Sequence, residues 1–176
     1  MGNIVLAAKI THVPTMLMSE QPGPIFGKRK QAIDGHKEIV ARAKALGADT
    51  VIVLDSHWLV NAGYHVNSAA SFKGNYPSHE FPHFIQNLKY EYEGNPELGD
   101  LIAEKAQAKG VHALSHQLES LTLEYGTLVP MRYMNEDSSL KVVSIAAWCS
   151  VHSIESSRLM GQAIKEAVEE SDSKVL

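Results

Sequence analysis

Two histidines stand where metal chemistry would need them. His12 lies in Thr11-His12-Val13-Pro14, just past a short apolar run, and His57 lies in Asp55-Ser56-His57-Trp58, just past another. Open α/β sheets bind ligands outside the carboxyl ends of their strands, and imidazole is the commonest metal-ligating side chain. Asp55 precedes His57 by two residues, so on an extended backbone the two side chains share one face. Its carboxylate could orient His57 from behind or ligate a metal itself. Two histidines and a carboxylate on one face of an octahedral ion leave positions for substrate and oxygen, as in non-haem iron(II) oxygenases. A zinc-dependent hydrolase built on His12, His57 and Asp55 is the competing chemistry. Two imidazoles do not distinguish Fe(2+) from Mn(2+) or Mg(2+). No zinc-protease helix motif, phosphate-binding glycine loop, Gly-x-Ser-x-Gly elbow or paired-cysteine site is present.

The elements that must position these groups alternate strand and helix. Residues 4–10 read as a buried strand, followed by a loop rich in proline and glycine as far as Gly27. Ile33, Ile39, Val40, Ala43 and Leu46 recur at helical spacing, which predicts a helix over 29–46 with Gly47 as its stop. Thr50–Asp55 is the clearest strand, and its β-branched run suits a strand covered on both faces. Residues 64–69 are compatible with a strand. Residues 71–87 read as a long loop carrying His79 and His83, which could line a pocket but read more simply as solvated. Lys89–Tyr92 alternates like an edge strand. Asn95 followed by Pro96 starts a helix that runs to Lys109 and stops at Gly110. Segments 111–114 and 118–122 are ambiguous. Lys141–Trp148 is another apolar strand, and Ser153 leads into a helix bearing Leu159, Ala163, Ile164, Ala167 and Val168. His36 and His152 are placed at helix starts, in structural roles. Lys174, Val175 and Leu176 have the character of a strand start, shorter than the usual run of about five residues. The expected fold is therefore α/β, with a mostly parallel or mixed central sheet flanked by helices, incomplete at its C-terminal end. Residues 1–176 are expected to form a single domain.

Composition narrows the function classes. The chain has 176 residues, 44% hydrophobic and 20% charged, with a formal net charge of −4. It can bury a substantial core, and it lacks the clustered positive charge of a nucleic-acid surface. Its one basic cluster, Lys28-Arg29-Lys30, reads as a solvated helix start. The single cysteine, Cys149, excludes an internal disulfide and fits a reducing cytoplasm. At the end of an apolar run it reads as a buried structural thiol. Residues 3–10 lack the basic front and cleavage pattern of a secretory leader. No apolar run approaches the roughly 18 residues of a membrane span. Cytoplasmic location, with no membrane partner, is the expectation.

The two histidine motifs also carry a resemblance. Thr11-His12-Val13-Pro14 and Asp55-Ser56-His57-Trp58 resemble the amino-terminal metal motifs of the class III extradiol ring-cleaving dioxygenases, a family that includes the catalytic subunit of protocatechuate 4,5-dioxygenase. Segments 7–14, 32–38, 55–61, 92–99 and 123–137 are similar to its homoprotocatechuate branch, and together they span almost the whole chain. The resemblance implies a mononuclear Fe(2+) site with His12 and His57 as its histidine ligands. It implies a catechol substrate, 3,4-dihydroxyphenylacetate, cleaved with O2 beside its hydroxyls to a hydroxymuconic semialdehyde. Family members complete the triad with a glutamate far along the chain and use a histidine as acid–base residue shortly beyond residue 176. No glutamate in residues 1–176 matches that context. Where many members carry Asp-His-Gly, this chain has Glu124-Tyr125-Gly126, which makes Tyr125 a candidate hydrogen-bonding group near the substrate. Arg132 is the arginine considered for a substrate carboxylate. An inactive remnant or interaction domain of the same fold is the alternative. A homo-oligomer is expected, because exposed sheet edges tend to pair.

Overall fold

The apolar run at Thr50–Asp55 lies inside a six-stranded sheet, in a computed structural model that describes residues 1–147 and 150–176. In chain order the elements are β1 (Asn3–Ile4), α1 (Thr15–Met18), α2 (Lys30–Ala45), β2 (Thr50–Asp55), β3 (Tyr64–Asn67), β4 (Ser71–Tyr76) and β5 (Leu88–Glu93). These are followed by α3 (Pro96–Ala108), β6 (Ala113–His116), α4 (Tyr125–Met134), β7 (Lys141–Ala146), α5 (Ile154–Glu170) and β8 (Lys174–Val175). The sheet order is β1-β8-β2-β7-β3-β6. Every pairing is parallel except β3 with β7, which is antiparallel. The sheet is thus mixed and mostly parallel, as expected. β4 and β5 form a separate antiparallel hairpin.

Alternation along β7 distributes the core between two faces. Val142 belongs with Val40 and Ala43 of α2 and Leu128, Val129 and Met131 of α4, a cluster extended by Phe72 and Tyr90 of the hairpin. Val143 and Ile145 belong with Ile102 and Ala106 of α3 and Met160, Ala163 and Ala167 of α5. The helix starts follow their capping residues. The Asn95 side chain accepts from Leu98 N at 3.3 Å, with Pro96 in the first turn. Ser153 accepts from Ser156 N at 3.0 Å. Each satisfies a donor that the first helical turn leaves unpaired.

Several expectations need correction. The first strand is Asn3–Ile4, not 4–10: its partner β8 is two residues long, and beyond the Val5 N bond to Val175 O the chain leaves the ladder. Residues 71–87 are not all loop. Phe72 and Tyr76 face inward while Lys73 and Asn75 face out, so β4 alternates with only two aromatics to mark it. The loop proper is 77–87. Residues 113–116 are a strand, whereas 118–122 form no regular element. β2 is not covered on both faces throughout. Leu54 is 56% exposed and, with Leu6, Ile10 and Val53, lines a groove of about 530 Å³ that runs to His12. Helix α4 has no counterpart in the sequence reading. Nine of its ten residues are buried, and Gly126 and Pro130 lie inside it. A helix apolar on all sides has no amphipathic stripe. Trp148 and Cys149 lie outside the described residues. Among those described, no helix is long and apolar enough to cross a membrane.

Candidate metal centre

Strand β2 ends on a buried carboxylate that shapes the following turn. Asp55 Oδ1 accepts from His57 N at 2.8 Å and from Trp58 N at 3.2 Å. This closes an Asx turn, the local device by which aspartate redirects a chain leaving a strand. The other oxygen, Oδ2, accepts from Thr127 Oγ1 at 2.7 Å, and Thr127 Oγ1 lies 2.9 Å from Ser144 Oγ of β7. Three protein donors thus hold the two oxygens of Asp55. The first turn of α4 supplies one of them, and its positive end favours a carboxylate nearby. The approach is close enough to require glycine at the second helical position: a Cβ on Gly126 would stand 2.1 Å from Asp55 Oδ1.

His12 comes from the irregular segment after β1 and is held from a distance. His36, 2% exposed in the middle of α2, places its ring between two carbonyls, with Nδ1 2.7 Å from Ala32 O and Nε2 2.9 Å from Thr11 O. It thereby ties the residue before His12 to the helix. His36 is therefore not at a helix start, although its role is structural. Replacing it by leucine removes a partner of the Thr11 carbonyl. The expected cost is about 1–3 kcal/mol, read as a fall of several degrees in thermal midpoint; an unchanged midpoint would show the tie to be without weight.

The two anchored segments bring the His12 and His57 rings together, edge to face, with centroids 4.8 Å apart. Burial, reinforced by the neighbouring His57, lowers the His12 pKa from its ordinary value, and Asp55 opposes them. The neutral ring, with a free nitrogen lone pair, is favoured. Tyr125 also lies against His57, with centroids 4.3 Å apart and its Oη 2.5 Å from Nδ1, and its ring centroid is 6.1 Å from that of His12. Phe81 meets Tyr125 edge-on at 5.7 Å. Glu80 Oε2 is 3.5 Å from His57 Nδ1. Burial, then Glu80, raises the Tyr125 pKa, so the phenol keeps its proton. Glu124 turns away from the histidines and accepts from Tyr76 Oη at 2.7 Å; burial raises its pKa.

The remaining sequence candidates lie elsewhere. Arg132, in the last turn of α4, places Nε and Nη2 at 3.0 and 2.8 Å from Glu20 Oε2. That guanidinium is engaged at the far end of the helix from Tyr125. His79 and His83 are exposed in the 77–87 loop. His152 stacks on Tyr64 at 3.8 Å. Among the described residues no group of three His, Cys, Asp or Glu side chains could hold a metal. Both Asp55 oxygens are instead taken up by protein donors, His57 N, Trp58 N and Thr127 Oγ1. Glu80, Thr127 and Ser144 were not singled out from the sequence. Glu80 follows His79 in a loop without periodicity, and the other two act only through contacts across the fold.

Comparison with known proteins adds three findings. A family model described as the catalytic LigB subunit of aromatic ring-opening dioxygenase matches residues 6–176. A 3,4-dihydroxyphenylacetate 2,3-dioxygenase from Escherichia coli is 57% identical over 99% of this chain, which spans 63% of that relative's length. The crystal structure of an uncharacterized protein from Escherichia coli K12 shares the fold, with a TM-score of 0.55 at 16% identity, over 82% of this chain and 51% of the other. With the family model matching nearly all of its length, the chain belongs to the LigB family of aromatic ring-opening dioxygenase catalytic subunits.

Proposed function

We propose that the chain is the ligand-bearing amino-terminal part of an extradiol dioxygenase that cleaves a catechol, 3,4-dihydroxyphenylacetate, with O2. The observation that carries this reading is the meeting of the His12 and His57 rings at 4.8 Å. The 57% identity to a 3,4-dihydroxyphenylacetate 2,3-dioxygenase supports the substrate. The donor set fits a divalent cation in two positions: one imidazole is kept neutral by burial, and the other sits on a turn locked by Asp55. Two imidazoles suit Fe(2+), with Mn(2+) and Mg(2+) as alternatives. When bound, such a metal supplies a centre at which catechol oxygens and O2 lie side by side.

The chain's own residues have narrower tasks. His12 and His57 offer nitrogen lone pairs. Asp55 aims His57 through the backbone without spending its carboxylate on the cation. Tyr125 holds a proton at Oη beside His57 Nδ1, which fits a positioning role. Residues 1–176 act as one α/β domain in this reading, in the cytoplasm. A homo-oligomer fits the sheet order, which leaves β6 as an edge strand.

The test is oxygen uptake with iron(II) and 3,4-dihydroxyphenylacetate. It would use this chain and a hybrid in which the chain precedes the part of the Escherichia coli relative that it does not span. Uptake with a yellow ring-opened product from either protein carries the reading. A hybrid that folds and binds iron but consumes no oxygen overturns it. A second reading, a non-catalytic domain of the same fold, draws on the absence of a three-ligand group among the described residues; uptake by the unextended chain would remove it.

A further inference from the structure

Successive residues of a strand point to opposite faces of its sheet, so a groove on one face meets every second residue. The groove of about 530 Å³ that runs to His12 meets four in a row, Val51 to Leu54. It therefore lies along the edge of β2, where backbone is presented. It reaches Met131 of α4 on one side of the sheet and Ile164 of α5 on the other. Strand β8 covers only the start of that edge. Leu176 N donates to Thr50 O at 3.0 Å, and Ile52 N donates to Leu176 O at 2.9 Å. In a parallel ladder alternate residues turn N–H and C=O to the same neighbour. Asp55 O accepts from Ala147 N beyond the end of β7, so Val53 and Asp55 serve β7. The Ile52 carbonyl and both backbone groups of Leu54 face the groove, and among the described residues no strand pairs with them there. The far wall is the segment bearing Leu6 and Ile10. Val5 N donates to Val175 O at 2.8 Å, but among the described residues no amide from 6 to 12 donates to a backbone carbonyl. Two backbone edges, each paired in parallel with β8 at its base, thus enclose an apolar slot with the form of a seat for one strand.

We propose that this groove seats an extended apolar strand, parallel to β1 and β2 and continuing the β8 ladder. In the Escherichia coli relative, the part that this chain does not span supplies it. That relative matches 99% of this chain, which spans 63% of its length. A strand there is covered by α4 on one face and α5 on the other, and such strands are continuous apolar runs. A second copy of this chain is a poor occupant. The seat needs a strand free on both edges, whereas the edge strand β6 is already paired with β3 on one. The register, with Val175 opposite Thr50, sets the reach. At the usual rise, about four residues past the level of Leu176 bring the strand level with Asp55. Its carboxyl end then emerges beside Ser56 and His12, which also line the groove. Ligands bind at that end of an open sheet, so the strand delivers the residues that follow it to the candidate metal centre.

Amide hydrogen exchange in the metal-free proteins tests the proposal. Leu54 N–H points sideways into the groove, so a backbone carbonyl seated there protects it. Its exchange should be fast in this chain. In the hybrid with the relative's remaining part it should slow by about a hundredfold or more, because a ladder inside a sheet opens only with much of the fold. Val53 N–H, turned to β7, should be protected in both. Substitution gives a second reading. Leu54 and Leu118 are each 56% exposed, so aspartate at either should move the thermal midpoint of this chain by no more than about 2 °C. In the hybrid Leu54→Asp should cost several degrees more than Leu118→Asp, since a seated strand leaves the charge buried. A Leu54 amide that exchanges as fast in the hybrid as in this chain overturns the proposal, and so does equal tolerance of the two aspartates. Protection that this chain shows at high concentration and loses on dilution assigns the groove to a second copy and overturns it as well. Should the hybrid not fold, the amide aligned with Leu54 in the full-length relative carries the same test. Because exchange is read without metal, failure of the iron reading is separate: it is a hybrid with Leu54 protected that takes up no oxygen.

Discussion

His57→Ala is expected to abolish specific iron(II) binding, and His12→Ala to do the same. Outer partners of a ligand already cost about 10–100-fold in affinity when lost, so loss of the imidazole itself should reach or exceed the upper end of that range. Calorimetric titration under anaerobic conditions measures it. His83→Ala is the control, since that ring is exposed in the 77–87 loop. The folded state should survive both substitutions, because neither ring is part of the two buried clusters. The result that counts against the reading is a His57→Ala protein that binds iron as tightly as its parent. A fall confined to one of the two histidines would assign that residue alone to the metal.

The second large effect is on stability. Asp55 is 1% exposed, and its removal by Asp55→Ala strands His57 N, Trp58 N and the Thr127 hydroxyl. Each buried donor left without a partner costs about 1–3 kcal/mol. Thr127 can turn its proton toward Ser144 Oγ, 2.9 Å away, so about 3 kcal/mol is expected in total. At roughly 2–4 °C per kcal/mol for a protein of this size, the thermal midpoint should fall by about 6–12 °C. Asp55→Asn keeps an oxygen for the two backbone donors and should lose about 1 kcal/mol, the net worth of one hydrogen bond. Equal losses in the two variants would mean that the negative charge, and not the hydrogen-bond geometry, carries the stabilisation. The Asn variant should keep the turn and hence iron binding, while the Ala variant should weaken both.

Most of the scaffold was legible because its signals are local. The α2 span follows from apolar spacing and Gly47, α3 from Asn95 and Pro96, and α5 from Ser153 and its apolar stripe. Strand β2 follows from its β-branched run and β7 from a near-continuous apolar one. What was missed lacks period or length. α4 is buried on nearly all sides, so no stripe marks it. β4 carries two inward aromatics and a glycine, Gly74, whose bare Cα lies against the Tyr90 ring. β1 is short because a strand needs a neighbour, and β8 meets it at two residues.

The site divides along the same line. His12 and His57 could be chosen from sequence because each follows an apolar run within a short motif, and Asp55 because it stands two residues from His57. Their chemistry is a property of residue type. Their arrangement is not. His36 reaches Thr11 across 25 residues, Tyr125 reaches His57 across 68, and Thr127 reaches Asp55 across 72. Contacts of that span leave no periodic mark on the chain; they exist only once helices and sheet have packed. By itself the sequence determined which groups could bind a cation and which elements would carry them. The tertiary structure decided that Asp55 spends its lone pairs on the fold, that Arg132 is held by Glu20, and that the Glu80 carboxylate comes within 3.5 Å of His57 Nδ1. Hydrogen bonds form where donors and acceptors meet in space, and packing alone brings these together.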